Sequence, residues 1–174
     1  MRVIETERLV LRGAREGDAA PLFEVFGCVE TMRYWSTLPH TSAVQTAELV
    51  AGIAEIADQY RYFVIEHESR AVGTAGFWDG NEIGFILHRD LWRQGYGAEI
   101  LMSLIAHGFE VLGYEAIVAD ADLRNAASIG LLRKLGFVET GRAERTIQIG
   151  ADWFDSVYFA LERSATHDAD DPPE

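Results

Sequence analysis

The sequence predicts a mixed α/β fold, a mostly antiparallel sheet with helices on both faces, and three observations carry that prediction. Between Tyr62 and Leu87 the apolar pattern is extended, in three runs separated by turn residues. From Gly97 to Leu112 it becomes helical, with Ile100, Leu101, Leu104, Ile105 and Phe109 on one face. Beyond Ala116 the order is strand, helix, then strands, so helices fall both before and after the extended centre.

Taken in chain order, residues 8–12 alternate weakly and read as a first strand. Asp18 is placed to cap a helix running to about Cys28, with Pro21 tolerated in its first turn and Leu22, Phe23, Val25 and Phe26 on its buried side. A loop holding Met32, Arg33, Tyr34, Trp35, Ser36 and Pro39 follows. Thr41 or Ser42 then caps a second helix reaching about Gln59, with Val50, Ile53, Ala54 and Ala57 as its stripe. Residues 62–65, 71–78 and 82–87 are three successive antiparallel strands, joined through 67–70 and through Asp79-Gly80-Asn81. Gly113 ends the long helix that follows. Residues 116–119 form a short buried strand, 128–135 a helix closed by Gly136, and 137–140 another strand; 146–149 and 154–161 finish as a strand pair.

Composition bounds the function. The 174 residues, 48% of them hydrophobic, suffice for one domain with its own core, expected over residues 1–163. From Ser164 onward the chain is polar, carries Asp168, Asp170, Asp171 and Glu174 and ends in two prolines, so a disordered acidic tail is expected over 164–174. A net charge of −13 argues against a nucleic-acid partner, because phosphate neutralisation needs a basic face. That acidity serves solubility or draws a cationic substrate toward a cleft. The start of the chain carries charges throughout and no segment approaches the roughly 20 apolar residues of a membrane span, so a cytoplasmic location is expected. Cys28 is the sole cysteine, and His40, His67, His88, His107 and His167 lack ligand spacing, so neither a disulfide nor a metal is expected.

One segment carries chemistry on its face. The strand ending at Leu87 leads through His88-Arg89-Asp90-Leu91 into Trp92-Arg93-Gln94-Gly95-Tyr96-Gly97-Ala98 at the start of a helix. Two glycines one residue apart let backbone approach a ligand, and the helix start offers unpaired N–H groups and a positive dipole end, the makings of a pyrophosphate cradle. The other reading of the same glycines is a sterically tight strand-to-helix turn. A dinucleotide fingerprint would need a third glycine where Ile100 stands, and no Gly-Lys-Ser/Thr is present for a P-loop.

Residues 92–99 resemble the acetyl-CoA-binding motif of the GNAT N-acetyltransferases, Gln/Arg-x-x-Gly-x-Gly/Ala after a strand, with Trp92 at the first position as in the RimJ/RimL-like branch. Asn125-Ala126-Ala127-Ser128-Ile129 with Lys134-Leu135-Gly136-Phe137 resembles the second half of that family's cofactor site. Residues 6–12, and Asp152-Trp153-Phe154-Asp155 before Tyr158, resemble its two ends. The likeness thus spans residues 5–161. It implies a GNAT-like central sheet of about seven strands, acetyl-CoA as co-substrate without a metal, and transfer of an acetyl group to a primary amine that attacks the thioester directly. The amine belongs to a protein or peptide N-terminus or to a small molecule, and the acidic balance favours a cationic one. A homodimer is common in the family. The competing reading is a catalytically silent acyl-CoA-binding or regulatory module.

The resemblance also assigns residues. The N–H groups of Gln94, Gly95, Tyr96, Gly97 and Ala98 would hold the pyrophosphate, with Arg93 beside them, and an N–H at Ile86 or Leu87 would meet the thioester oxygen. Arg89, Arg93, Arg124 and Lys134 would offset the acidic background or remain solvated. Glu82 stands where some members place a base; its alternative is a strand residue facing solvent. The family's usual tyrosine acid falls on Leu132, whereas Ser128 fits the serine of RimL-like enzymes, or else belongs to the helix start. Asn125 would bond the pantetheine arm, cap the helix, or both. Met32, Tyr34, Trp35, Trp78, Trp153, Phe154 and Tyr158 are the candidates for lining an acceptor pocket, or are core or dimer contacts.

Overall fold

A computed structural model describes residues 3–56, 59 and 61–163, and among these residues there are eight strands and five α-helices. The expected tail, His167 and Ala57 lie outside the described residues. Strands β1 (Ile4–Glu5), β2 (Val10–Arg12), β3 (Tyr62–His67), β4 (Arg70–Phe77) and β5 (Ile83–Leu87) make one antiparallel sheet in that order. Strands β6 (Ala116–Asp122), β7 (Val138–Ile149) and β8 (Asp152–Glu162) make a second, ordered β6-β8-β7. The mixed, mostly antiparallel class read from the sequence holds, but the single sheet of about seven strands is split in two, with eight strands. The helices are α1 (Ala19–Phe26), α2 (Val29–Met32), α3 (Ala43–Glu55), α4 (Tyr96–Glu110) and α5 (Ala126–Lys134). Among the described residues no helix is long and apolar enough to cross a membrane.

Alternation along the strands sends side chains to two cores. Odd-numbered Phe63, Ile65, Ile83, Leu87, Ile117, Ala119, Val157 and Phe159 pack with Ile100, Leu101 and Leu104 of α4 and Leu132 of α5. Tyr62, Val64 and Ile86 turn the other way, onto Leu22, Val25, Phe26, Val50 and Ile53 of α1 and α3. The predicted stripes meet these faces through most of their members, but Ala54, expected in the α3 stripe, is exposed, because the helix turns it away from Val50 and Ile53.

Several local expectations change. Asp18 precedes α1, yet its side chain does not cap that helix. Instead both oxygens accept from the Arg12 guanidinium at 2.7 Å, and the Arg15 N–H donates to the same carboxylate, tying β2 to the turn before α1. A salt bridge to a buried guanidinium outcompetes a surface cap, because leaving that charge unpaired would cost far more. Ser42 stands at the start of α3 without a side-chain cap, and α3 ends at Glu55 rather than near Gln59. Part of the expected 32–36 loop begins as α2. The strands expected at 137–140 and 146–149 are one strand, β7, whose pairing with β8 shifts between Glu139 and Gly141 and again between Ala143 and Ile147. Extra residues at such irregularities break the alternation a sequence reader counts, so one bent strand looks like two.

Candidate functional site

The two sheets touch where β5 begins. Glu82 bridges Val118 in parallel, the Val118 N–H donates to the Asn81 carbonyl at 3.1 Å, and the Asn81 amide donates to the Ala116 carbonyl at 2.7 Å. Beyond that bridge β6 pairs only with β8, so β5 and β6 diverge and leave an open edge on β5. Alternation fixes which groups lie on it. The Trp78 N–H bonds to the Glu82 carbonyl and the His88 N–H to the Val72 carbonyl, so even-numbered residues of β5, Ile86 included, spend their backbone groups on β4. The Phe85 and Leu87 groups face the gap. The Leu87 carbonyl accepts the Trp92 indole N–H at 2.8 Å, which leaves the Leu87 N–H as the donor on the open edge at its wide end.

The chain then enters α4 through a concave turn. Arg93 (φ 58°) and Gly95 (φ 87°) are both left-handed on either side of Gln94, the kind of alternation that gathers successive N–H groups into an anion-binding nest. Among the described residues no acceptor is engaged by the N–H groups of Arg93 through Ala98. Only glycine takes the Gly95 conformation without strain. Gly97 serves otherwise: a Cβ there would sit 3.1 Å from the Phe85 ring and 3.2 Å from a Leu131 methyl, so its absence lets α4 lie close to β5 and α5. Tyr96 contributes only backbone to the nest, because its buried ring carries a hydroxyl 3.0 Å from His67 Nε2. Gln94 turns its side chain back onto the Asp90 carbonyl.

This turn is braced by residues that sequence reasoning left unassigned. Arg8 donates to the Gln94 carbonyl at 2.9 Å, pairs with Glu99 at 2.7 Å and lies 3.9 Å from the Tyr96 ring centre. The Thr6 hydroxyl and the Arg8 N–H hold the other Glu99 oxygen at 2.6 and 2.8 Å. The sequence signal was the 6–12 block itself, which carries no visible link to a carboxylate over 90 positions away. Two of the four basic residues expected near phosphates face acids: Arg89 lies 3.6 Å from Glu30, and Arg124 takes both Asp122 oxygens. Arg93 is exposed beside the nest.

Across the gap, Asn125 caps α5, its side-chain oxygen accepting the Ser128 N–H at 3.1 Å. Asn125 is thus the cap, and among the described residues the Ser128 hydroxyl is uncommitted. Ser128 lies one turn before Leu132 on the same face of α5, and Leu132 is buried in the core.

At the narrow end sits Glu82, half-buried, its carboxyl held above the usual glutamate range by partial burial and then by Asp120 and Asp79. Asp120 is exposed on β6, yet its carboxyl is raised by local loss of solvation, with hydrogen bonds from Ser156 and the Ala121 N–H opposing and Asp122 adding to it. No expectation from the sequence included Asp120. The aromatic candidates divide. Trp35 and Trp78 meet edge to face at 6.4 Å, and Trp78 also lies 4.2 Å from the buried Tyr62 ring. Tyr34 and Phe154 gather around Arg124, the guanidinium 5.8 and 3.6 Å from their centres. Tyr158 lies opposite Asp120 in register, on the face shared by Ser156 and Phe154. Trp153 falls on the other face of β8, under Arg145, and does not join that group. Met32 is core.

Residues 8–138 match the model of the acetyltransferase (GNAT) domain. The uncharacterized N-acetyltransferase YoaA of Bacillus subtilis is 29% identical over 167 residues, which cover 90% of this chain and 94% of that one. An acetyltransferase of the GNAT family from Bacillus anthracis has the same fold, with a TM-score of 0.82 at 23% identity over 92% of this chain and 98% of its own. RimL, a ribosomal L7/L12 alpha-N-protein acetyltransferase solved in complex with coenzyme A, aligns with a TM-score of 0.77 at 20% identity over the same shares.

Proposed function

The chain belongs to the GNAT acetyltransferases, and from that premise we propose that it moves an acetyl group from acetyl-CoA to a primary amine whose nitrogen attacks the thioester directly. The observation that carries this reading is the open edge of β5, with an unengaged N–H nest at its wide end and a half-buried carboxylate at its narrow end. The missing Cβ and left-handed turn at Gly95, together with the free N–H groups, suit a pyrophosphate. Acetyl-CoA supplies the activated acyl group when bound.

The chain's own residues then divide the work. The nest from Gln94 to Ala98 holds negative charge, and Arg8 keeps it in shape from behind. The Leu87 N–H is aimed where a thioester oxygen would gain charge, a placement typically worth about 3–4 kcal/mol of barrier. Glu82 takes the proton that the acceptor must lose. This matters most for a lysine-type ammonium, with a pKa of ~10.4, and less for an α-amine near ~8. The Ser128 hydroxyl holds the proton for the departing sulfur, a role supported by its place one turn before the buried Leu132, where no acid is available. Asn125 both caps α5 and presents its amide N–H groups to the gap.

The acceptor is a protein or peptide N-terminus, as the name of RimL states for that enzyme, or a small-molecule amine. The excess of 28 acidic over 15 basic residues supports a cationic one. The test is thiol release from acetyl-CoA across amines, aminoglycosides and peptides of varied N-terminus, beside calorimetric titration with acetyl-CoA. Acceptor-dependent release is expected; absence of acetyl-CoA binding would overturn the assignment of the nest.

A further inference from the structure

β6 walks away from β5 one residue at a time, and its even-numbered side chains face the acceptor side of the gap. Val118 makes the bridge to Glu82, and Asp120 is the next residue on that face. Asp120 is held in place from behind. The buried Ser156 hydroxyl donates to its Oδ2 at 3.1 Å, and the Thr146 hydroxyl reaches Ser156 at 2.7 Å. Thr146 lies in the second irregularity of β7, where Arg145 is left-handed (φ 54°) and its N–H is anchored by Asp155 at 2.9 Å. A register shift two strands away thus ends in the orientation of one carboxylate.

Charge balance gives this carboxylate its meaning. Asp79 and Asp120 act on Glu82, and Asp122 acts on Asp120, every one of them acidic; Tyr158 is the titratable residue opposite Asp120 on β8. Among the described residues no cation pairs with Glu82 or Asp120, and the nearby Arg124 is held by Asp122 through its Nε and Nη2. Two like charges on one face oppose each other's ionisation, more weakly where Asp120 meets solvent than at half-buried Glu82, and an arriving cation relieves that opposition.

We propose that Asp120 is a specificity-determining residue of the acceptor site, forming with Glu82 a two-carboxylate receptor for the ammonium form of the amine. This deepens the transferase reading and rests on it. The ammonium docks between the two carboxylates and relieves their repulsion. One N–H bond then breaks, its proton passing to a Glu82 oxygen and its electron pair remaining on nitrogen, which becomes the nucleophile. Asp120 acts here through position and charge, and Glu82 takes the proton.

The test is carbon-13 titration of the Glu82 carboxyl, assigned by its loss in Glu82→Gln, with propylammonium chloride or with sodium chloride at equal ionic strength. In the wild type, propylammonium should lower the Glu82 midpoint relative to sodium. Asp120→Asn should lower the midpoint in sodium chloride and shrink the propylammonium effect several-fold, and Asp120→Glu should restore both. A wild-type midpoint unmoved by propylammonium would overturn the proposal without any change at Asp120, and an Asp120→Asn midpoint equal to the wild type's would overturn it as well. Coenzyme A titrated into the same samples separates the two readings: retained affinity with an unresponsive Glu82 defeats the receptor alone, whereas lost affinity in the wild type defeats the transferase assignment.

Discussion

Gly95→Ala isolates what the left-handed turn contributes to binding, because the structure offers a matched control. Gly95 has φ 87° and Gly113 has φ 72°, so alanine at either position meets the same backbone penalty of about 1–2 kcal/mol. At Gly113 an added Cβ meets nothing within 4 Å; at Gly95 it lies 3.3 Å from Arg8 Nη2, the end of a side chain that can shift slightly. Sterics therefore add little, and both variants should lose roughly 2–8 °C in thermal midpoint for a chain of this length. They should part company in calorimetry with coenzyme A. Gly95→Ala turns the N–H groups of the nest away from a common centre and displaces the Arg8 hydrogen bond to Gln94, so affinity falls by about tenfold for each ~1.4 kcal/mol lost there. Gly113→Ala should bind as the wild type does. Gly95→Asn, which tolerates the left-handed region better, should fall between. Equal coenzyme A affinity in all four proteins would refute the argument that this turn is the phosphate cradle.

Other expectations follow from the same geometry. Ser128→Ala should lower kcat by roughly 10²-fold with KM for acetyl-CoA nearly unchanged, if its hydroxyl carries the leaving-group proton; steady-state kinetics decides it. Glu82 has its folded-state value raised above the unfolded ~4.3, so its ionisation penalises the fold as pH rises past that unfolded value. Glu82→Gln should therefore raise the thermal midpoint at pH 7 while abolishing the acid limb of kcat/KM, which in the wild type falls as pH drops through the raised value. Arg12 and Asp18 behave in the opposite sense. Burial would raise the Asp18 carboxyl, yet the Arg12 hydrogen bonds and the Arg15 N–H hold it below its usual range. That stabilisation is complete above the unfolded value and is lost as pH falls through the folded one. Arg12→Ala should cost about 3–5 kcal/mol in denaturant unfolding near pH 7, because it strands a buried carboxylate.

Periodicity made most of the fold legible. The α4 stripe, the three strands from 62 to 87 and the α5 helix emerged from spacing, since burial on one face imposes the period directly. The nest was legible for the same local reason: glycines that a turn requires are visible one at a time. Its brace was not, because Arg8 and Glu99 meet only after the sheet closes. Asp18 looked like a cap and became half of a buried ion pair, since its partner Arg12 is chosen by the sheet and not by the helix. Asp120 was hidden more deeply. The expected strand stopped at Ala119, whereas β6 runs on to Asp122 and carries Asp120 within it. The brace of Asp120 comes from Ser156 on β8 and from Thr146 in the second irregularity of β7, a strand whose irregularities disguised it as two.

The strand order β6-β8-β7 bears on how the protein is made. The middle strand of the second sheet is the last to leave the ribosome, so β6 and β7 have no partner in that sheet until β8 follows them. Until β8 is made, β6 and β7 present unpaired strand edges, the feature most prone to pairing with a neighbouring chain. The wall of the gap that β6 forms is therefore tied into its sheet by the strand synthesised after it and after β7.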